Sequence, residues 1–134
     1  MATQSDVRRI ALSLDGASEG ADDLRFFVND RQFLWLWQER IDPKKARVPD
    51  PLVIVVRVAD DIRKQMRLQM DTRVFFTEPH YDGYNAVLVR LPAIGRGLLR
   101  EVITESWELM RSRSRARRPR RAGGAPRFRK SRRA

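Results

Sequence analysis

The chain has 134 residues, 42% hydrophobic and 34% charged, which suits one globular domain. It has no cysteine, which excludes disulfides, cysteine-ligated metals and thiol nucleophiles, and its single histidine excludes a multi-histidine metal site. No apolar run reaches the roughly 18 residues of a membrane span, and the first residues lack the basic and apolar regions of a signal peptide. We therefore expect a cytoplasmic protein with no membrane insertion, metal or cofactor.

The first residues predict a helix. Thr3 and Asp6 have the spacing of a capping box, in which a hydroxyl and a carboxylate satisfy each other's backbone N–H groups. The apolar residues that follow recur on one helical face, and Gly16 can end the helix in the left-handed conformation. These apolar positions are Val7, Ile10, Ala11 and Leu14.

Three strands are predicted next, at 24–28, 32–38 and 52–58, with a tight turn at 29–31. In the second strand, the aromatic residues Phe33, Trp35 and Trp37 alternate with leucines, so both sheet faces should be at least partly covered. We expect these aromatic residues in the core, all on one face. A base-stacking platform for single-stranded nucleic acid is the alternative.

A polar loop is predicted over residues 39–51, where prolines alternate with basic residues. Its cationic side chains could contact a phosphate backbone, although the acidic residues nearby dilute the charge. These cationic residues are Arg40, Lys44, Lys45 and Arg47.

The second half predicts a helix at 59–70, strands at 74–77 and 86–91, and a last helix from about residue 97. We expect Ile62, Met66 and Met70 to form a buried stripe on the first of these helices. The last helix has the longest apolar periodicity, at Leu99, Val102, Ile103, Ser106, Trp107 and Met110. Strands in runs favour a two-layer α+β fold around a five-stranded antiparallel sheet, in the order helix, three strands, helix, two strands, helix.

The loop between the last two strands, His80 to Tyr84, brings the histidine close to two phenols and a carboxylate. Acid–base catalysis would need a second group positioned across a pocket. We interpret the loop as a structural turn in which Gly83 provides conformational freedom, and we predict no catalytic residue. An enzyme centred on His80 is the remaining alternative.

The positive charge is concentrated at the C-terminus. The formal net charge is +11, but residues 111–134 contain 12 of the 28 basic residues and no acidic one, which leaves 16 basic against 17 acidic residues in 1–110. A block of like charge with one aromatic residue cannot bury enough apolar surface to order itself. We therefore divide the chain into a folded domain, residues 1–112, and a disordered arginine-rich tail, residues 113–134.

Four segments resemble the MmcQ/YjbR-like family, and with the tryptophan-bearing last helix they cover roughly residues 5–112. They are RQFLWLW at 31–37, IDPKKARVP at 41–49, FFTEPHYDGY at 75–84 and AVLVRL at 86–91. The resemblance implies a bacterial protein whose antiparallel α+β fold is similar to that of secretion chaperones. It also implies DNA binding, although the family has no motif that names base-contacting residues.

Charge and resemblance together favour a non-enzymatic protein that binds nucleic acid. Arginine presents a bidentate fork to phosphate oxygens, so we expect mostly sequence-independent contacts through the tail and weaker contacts through the basic loop. The tail residues are Arg113, Arg115, Arg117, Arg118, Arg120, Arg121, Arg127, Arg129, Lys130, Arg132 and Arg133. The alternative is a protein-interaction or chaperone-like module that holds a partner or a second copy through its sheet face or edge, with the tail a solvated by-product of composition.

Overall fold

The computed structural model describes residues 1–21, 24–42 and 44–117, with side chains described as far as residue 113. Its elements are α1 Gln4–Ser13, β1 Ala17–Glu19, β2 Arg25–Val28, β3 Arg31–Glu39, β4 Val48–Arg57, α2 Asp61–Met70, β5 Phe75–Phe76, β6 Ala86–Arg90 and α3 Arg96–Arg117. The described strands form one antiparallel sheet in the order β1-β2-β3-β4-β6-β5. This confirms the α+β class. The sixth strand is β1, which is too short to show an alternating pattern in the sequence.

The helices α1 and α3 cover one face of the sheet. The predicted capping box is present at the start of α1, where the Thr3 hydroxyl accepts from the Asp6 N–H at 3.2 Å and Asp6 accepts from the Thr3 N–H at 3.0 Å. The predicted apolar face of α3 is buried against the sheet, with Leu99 and Ile103 fully inaccessible. Helix α3 continues through residues 113–117, the first five that we assigned to the tail, and residues 118–134 lie outside the described ranges.

The strand β4 begins four residues earlier than predicted, because its first residues pair with the end of β3 in the partners Glu39 and Val48. Prolines in this segment suggested a loop. They are accommodated because β4 has a neighbour only in β3 until Val53, where pairing with β6 begins. The basic loop is therefore shorter than predicted and lies between β3 and β4.

A bulge in β3 separates the aromatic residues that we expected on one face. Phe26 pairs with Leu34 and Phe27 pairs with Gln32, so Phe33 is an extra residue in its strand. Because a bulge changes the alternation locally, Phe33 and Leu34 both lie in the helix-covered core, and both are fully buried. The two tryptophans that follow, Trp35 and Trp37, lie on the opposite face and are half-buried.

The prediction of a buried apolar stripe on α2 was wrong. Ile62, Met66 and Met70 are 73%, 53% and 53% exposed, whereas Lys64 and Arg67 are buried on the opposite side of the helix. These two cations face polar partners rather than the apolar core. No helix in the described ranges is long and apolar enough to cross a membrane.

Candidate nucleic-acid interface

The sheet face that α1 and α3 do not cover carries a second, smaller apolar cluster. A row of paired residues crosses it from β3 through β4 and β6 to β5, namely Trp35, Val55, Leu88 and Phe76. The indole of Trp37 packs edge-on against Phe76, with ring centroids 5.6 Å apart. This face, called the aromatic face from here on, is partly covered by the loop between β5 and β6.

The loop at 78–84 is tied to the aromatic face through side chains. The Glu78 carboxylate accepts from the Trp37 indole N–H at 2.7 Å, and the Tyr81 hydroxyl accepts from the Trp35 indole N–H at 3.2 Å. On α2, the buried Lys64 ammonium donates to two carbonyl oxygens of the loop, those of Tyr81 at 2.6 Å and Tyr84 at 2.9 Å. The loop is therefore positioned by two segments that are distant in sequence, β3 and α2.

These contacts also shift the pKa values of two ionisable groups, Glu78 and Tyr81. Burial opposes ionisation of Glu78, but the Trp37 N–H, the His80 backbone N–H and the Arg47 guanidinium together lower the pKa of Glu78. Burial raises the pKa of Tyr81. His80 itself is exposed, and its ring makes an edge contact with Tyr81. In the described part of the chain, no three acidic or histidine side chains form a group that could hold a metal ion.

Arg57, at the end of β4, is held by two aromatic rings on the aromatic face. Its guanidinium carbon lies 5.3 Å from the Trp35 ring centroid and 5.5 Å from the Tyr84 ring centroid, within range of cation–π attraction. Its Nε donates to the Gln32 carbonyl at 2.8 Å. Three contacts therefore hold this guanidinium at the end of β4.

Beside Arg57 lies a shallow depression of about 420 Å³, called the arginine groove from here on. It is open to solvent at the two-residue turn between β2 and β3, where Asn29 and Asp30 have positive φ angles of 51° and 65°. Its lining residues are Asn29, Asp30, Arg31, Gln32 and Arg57.

The C-terminal end of α3 lies at the same end of the sheet. The buried Ser106 hydroxyl donates to the Phe33 carbonyl at 2.6 Å and accepts from the Arg57 backbone N–H at 3.1 Å. About two turns further along, the Arg113 guanidinium donates to the Ala59 carbonyl at 3.4 Å. Helix α3 therefore carries the chain toward residue 117 beside the end of β4 and the arginine groove.

The predicted basic loop lies at the opposite end of β3. That strand is nine residues long, so its two ends are separated by roughly 26 Å at about 3.3 Å per residue. Within the loop, Arg40 donates to the Lys45 carbonyl at 3.1 Å, and Arg47 donates to the Gln38 carbonyl at 2.6 Å and lies 3.7 Å from Glu78. Lys44 and Lys45 are exposed. The structure thus does not bring the basic loop and the end of α3 together.

Of the predicted tail residues, Arg113 has a described side chain, and Arg115 and Arg117 have a helical backbone. The remaining predicted tail residues lie outside the described ranges; they are Arg118, Arg120, Arg121, Arg127, Arg129, Lys130, Arg132 and Arg133. The sequence reasoning did not single out Arg31 or Arg57. Strand alternation places Arg57 on the same sheet face as Val53 and Val55. This alternation is the feature of the sequence that could have pointed to Arg57.

Comparison with known proteins gives relatives without a stated activity. No family model matches the chain. It is 38% identical over 114 residues to the uncharacterised protein Rv2570 of Mycobacterium tuberculosis, covering 80% of this chain and 87% of that protein, and Mb2600 of Mycobacterium bovis gives the same values.

A solved structure supports the fold. The crystal structure of the Deinococcus radiodurans protein DR2400, a DUF419 domain, matches 81% of this chain and 78% of its own with a TM-score of 0.61 at 24% identity. DUF419 is part of the MmcQ/YjbR-like superfamily. The antiparallel α+β fold that the resemblance implied is therefore confirmed.

Proposed function

Since the chain belongs to the same family as the mycobacterial proteins Rv2570 and Mb2600, whose names state no activity, we propose a function from its own residues: non-enzymatic binding of nucleic acid. Assignment to the MmcQ/YjbR-like family, for which the resemblance implies DNA binding, is part of the same proposal. Most of the affinity comes from the tail, and the contacts are largely independent of base sequence.

The observation that carries the proposal is the separation of charge along the chain. Residues 111–134 hold 12 basic side chains and no acidic one, while the rest of the protein is close to neutral. Each phosphate that an arginine neutralises releases condensed counterions, which favours binding at low salt. A nearly neutral body adds little long-range attraction, so the tail accounts for the salt dependence.

The basic loop contributes less. Its two exposed cations, Lys44 and Lys45, are free to meet a phosphate backbone, but Arg47 already lies against Glu78 and the Gln38 carbonyl. An arginine that is held by a carboxylate would have to exchange that partner for a phosphate. We therefore assign the loop a secondary role, on a surface distant from the end of α3.

Fluorescence anisotropy with labelled duplex DNA across a salt series tests this proposal. Three full-length proteins are compared: the wild type, a tail variant and the double variant Lys44→Gln/Lys45→Gln. The tail variant replaces the eight basic residues of 118–133 by glutamine. If six to eight arginines contact phosphates, the wild-type log–log salt slope is about −5 to −7, and removing two loop contacts lowers its magnitude by at most about 2.

The tail variant should lose most of both the affinity and the slope. A wild-type response that is flat with salt, or equal affinity for an unrelated polyanion such as heparin, would contradict binding specific to nucleic acid. Single-stranded DNA and RNA are measured in the same way, since phosphate contacts alone do not distinguish them.

A second candidate function is self-association through α2. The exposed stripe of Ile62, Met66 and Met70 is symmetric about Met66, so an antiparallel second copy places Ile62 opposite Met70 in a twofold contact. The same arrangement brings Asp61, at the start of the helix, toward Arg73 just beyond the partner's end. Three side chains bury far less than the roughly 800 Å² per partner of a stable interface, so we expect a weak dimer.

Light scattering over a protein concentration series tests the second candidate. Met66→Lys should abolish the concentration-dependent rise in mass. The control Leu12→Lys replaces another exposed apolar residue, 45% exposed on α1, and should leave it unchanged. A wild-type protein that stays monomeric at every concentration contradicts self-association.

A further inference from the structure

We propose that the arginine groove binds one phosphate group of the nucleic acid. This inference rests on the proposed function and deepens it, because it assigns a contact to the folded domain and names the chemical group that the contact takes. It also concerns residues, Arg31 and Arg57, that lie outside both the tail and the basic loop.

The guanidinium of Arg57 is prepared for an anion before any ligand arrives. Its carbon lies 5.3 Å and 5.5 Å from the ring centroids of Trp35 and Tyr84, and its Nε donates to the Gln32 carbonyl. Within the described ranges, its two Nη atoms have no hydrogen-bond partner and form no ion pair with a carboxylate. A planar fork fixed in this way loses little freedom when it binds a phosphate oxygen pair.

Arg31 supplies the second charge. It lines the same depression and is half-buried, and its side chain has no hydrogen bond or ion pair with any other described residue. The acidic residue in the lining is Asp30, so the two arginines leave the groove with a net charge of about +1 at neutral pH, since carboxyl and guanidinium groups are both ionised there. A phosphodiester, which carries one negative charge, matches that balance.

The position of the groove favours nucleic acid as the source of the phosphate. Helix α3 runs past the end of β4, where Arg113 contacts the Ala59 carbonyl, and Ala59 is two residues from Arg57. A strand whose phosphates contact Arg113 therefore lies close to Arg57. Tyr84 is 38% exposed and its ring centroid lies 5.5 Å from the Arg57 guanidinium carbon, so a base could stack on this ring beside the groove.

The test uses full-length variants and a labelled single-stranded oligonucleotide. Arg31→Gln and Arg57→Gln should each weaken binding about tenfold and reduce the magnitude of the salt slope by about 0.7, the contribution of one phosphate on a single strand. Arg57→Lys keeps the charge but lacks the planar fork, so it should weaken binding while leaving the slope unchanged.

The matched control is Arg100→Gln, which removes an exposed arginine of α3 about 20 Å along the helix from Arg113 and should change neither quantity. The Arg31 side chain makes no described hydrogen bond or ion pair that the substitution would remove, so the Arg31→Gln result is decisive even if Arg57→Gln is unstable. If the wild type binds and both glutamine variants behave like Arg100→Gln, the groove is overturned and the tail proposal stands. If the wild type does not bind, the proposed function fails and the groove fails with it.

Discussion

The helices α2 and α3 both have apolar residues at helical spacing, yet they pack in opposite ways. In α3 the apolar positions face the sheet, and Ile103 is fully buried. In α2 the apolar positions face outward, and Ile62 is 73% exposed, whereas Lys64 and Arg67 are only 4% and 3% exposed. Two similar sequence patterns therefore give opposite orientations in one protein.

The difference comes from what each helix meets. Helix α3 lies on an apolar sheet face, so its apolar stripe is the side that removes most surface from water. Helix α2 lies between the 78–84 loop and α3, where it meets two carbonyl oxygens and two carboxylates: Arg67 donates to Glu105 at 2.7 Å and to Glu101 at 3.4 Å. Buried cations are tolerated where such partners satisfy them. Periodicity thus identifies a helix and its faces, and the neighbours select the face that is buried.

The largest expected effect comes from making the same substitution on both helices. Ile103→Ala should lower the free energy of unfolding by about 2–5 kcal/mol because it leaves a cavity in the core. Ile62→Ala should change it by less than about 0.5 kcal/mol, since its side chain is mostly in solvent. Urea denaturation measures both. Equal costs at the two positions would mean that α2 packs through its apolar stripe after all.

The buried ammonium of α2 gives the next largest effect. Lys64→Met should lower stability by about 1–3 kcal/mol, because it leaves the carbonyls of Tyr81 and Tyr84 without their donor. Release of the loop should also alter tryptophan fluorescence, since Trp35 and Trp37 hydrogen-bond to loop residues. Lys45→Met, in the exposed loop, is the control. A stable Lys64→Met with unchanged fluorescence would show that the loop does not depend on α2.

The ion pair between α2 and α3 should contribute less, since one partner is partly solvated. Glu105→Gln should lower stability by about 1–2 kcal/mol, because the buried Arg67 guanidinium keeps only the more exposed Glu101 as a charged partner. Glu108→Gln, at an exposed position on the same helix, should be nearly neutral. If the denaturation curves of the two variants coincide, the Glu105 carboxylate is not what holds Arg67 in place.

The smallest effect concerns α1, whose start is stabilised mainly by contacts among Thr3, Asp6 and Arg9. Hydrogen bonds from Arg9 and Thr3, with the charge of Arg96, hold the pKa of Asp6 below its ordinary value of 3.8. Because the pKa of Asp6 is lower in the folded than in the unfolded state, its carboxylate stabilises the fold at pH values above the unfolded-state pKa. This stabilisation is lost as the pH falls through the folded-state pKa. Asp6→Asn should therefore lower the melting temperature at pH 7, and the difference from the wild type should shrink below about pH 4.

Thermal unfolding from neutral to acidic pH measures this effect, with Asp15→Asn, at an exposed position after α1, as the control. A difference that stays constant down to the lowest pH would show that Asp6 acts through packing and not through its charge.

Features that depend on residues a few positions apart were predicted from the sequence. The Thr3–Asp6 capping box, the tight turn at Asn29 and Asp30, and the buried face of α3 are all confirmed. Capping and turn geometry involve a single local segment. The face of α3 was predictable because its only long apolar stripe meets the apolar side of the sheet.

Features that depend on strand pairing were missed or misplaced. The strand β1 has three residues and exists because Ala17 pairs with Val28. The bulge that moves Phe33 into the helix-covered core shows only in the register with β2. The site at Arg57 requires Trp35 from β3 and Tyr84 from the 78–84 loop, 22 and 27 positions away in the chain, so no local pattern marks it.

The sequence by itself determined the order of helices and the later strands, the start of α1, and the division of charge between a neutral domain and a basic C-terminus. These properties follow from composition and from contacts within a turn or two of chain. Only the tertiary structure decided which face of α2 is buried and which arginine lies near both Trp35 and Tyr84. The physical reason is that a buried cation, or a fixed guanidinium, needs carbonyls, carboxylates or rings from several distant segments, and those converge only when the sheet is assembled.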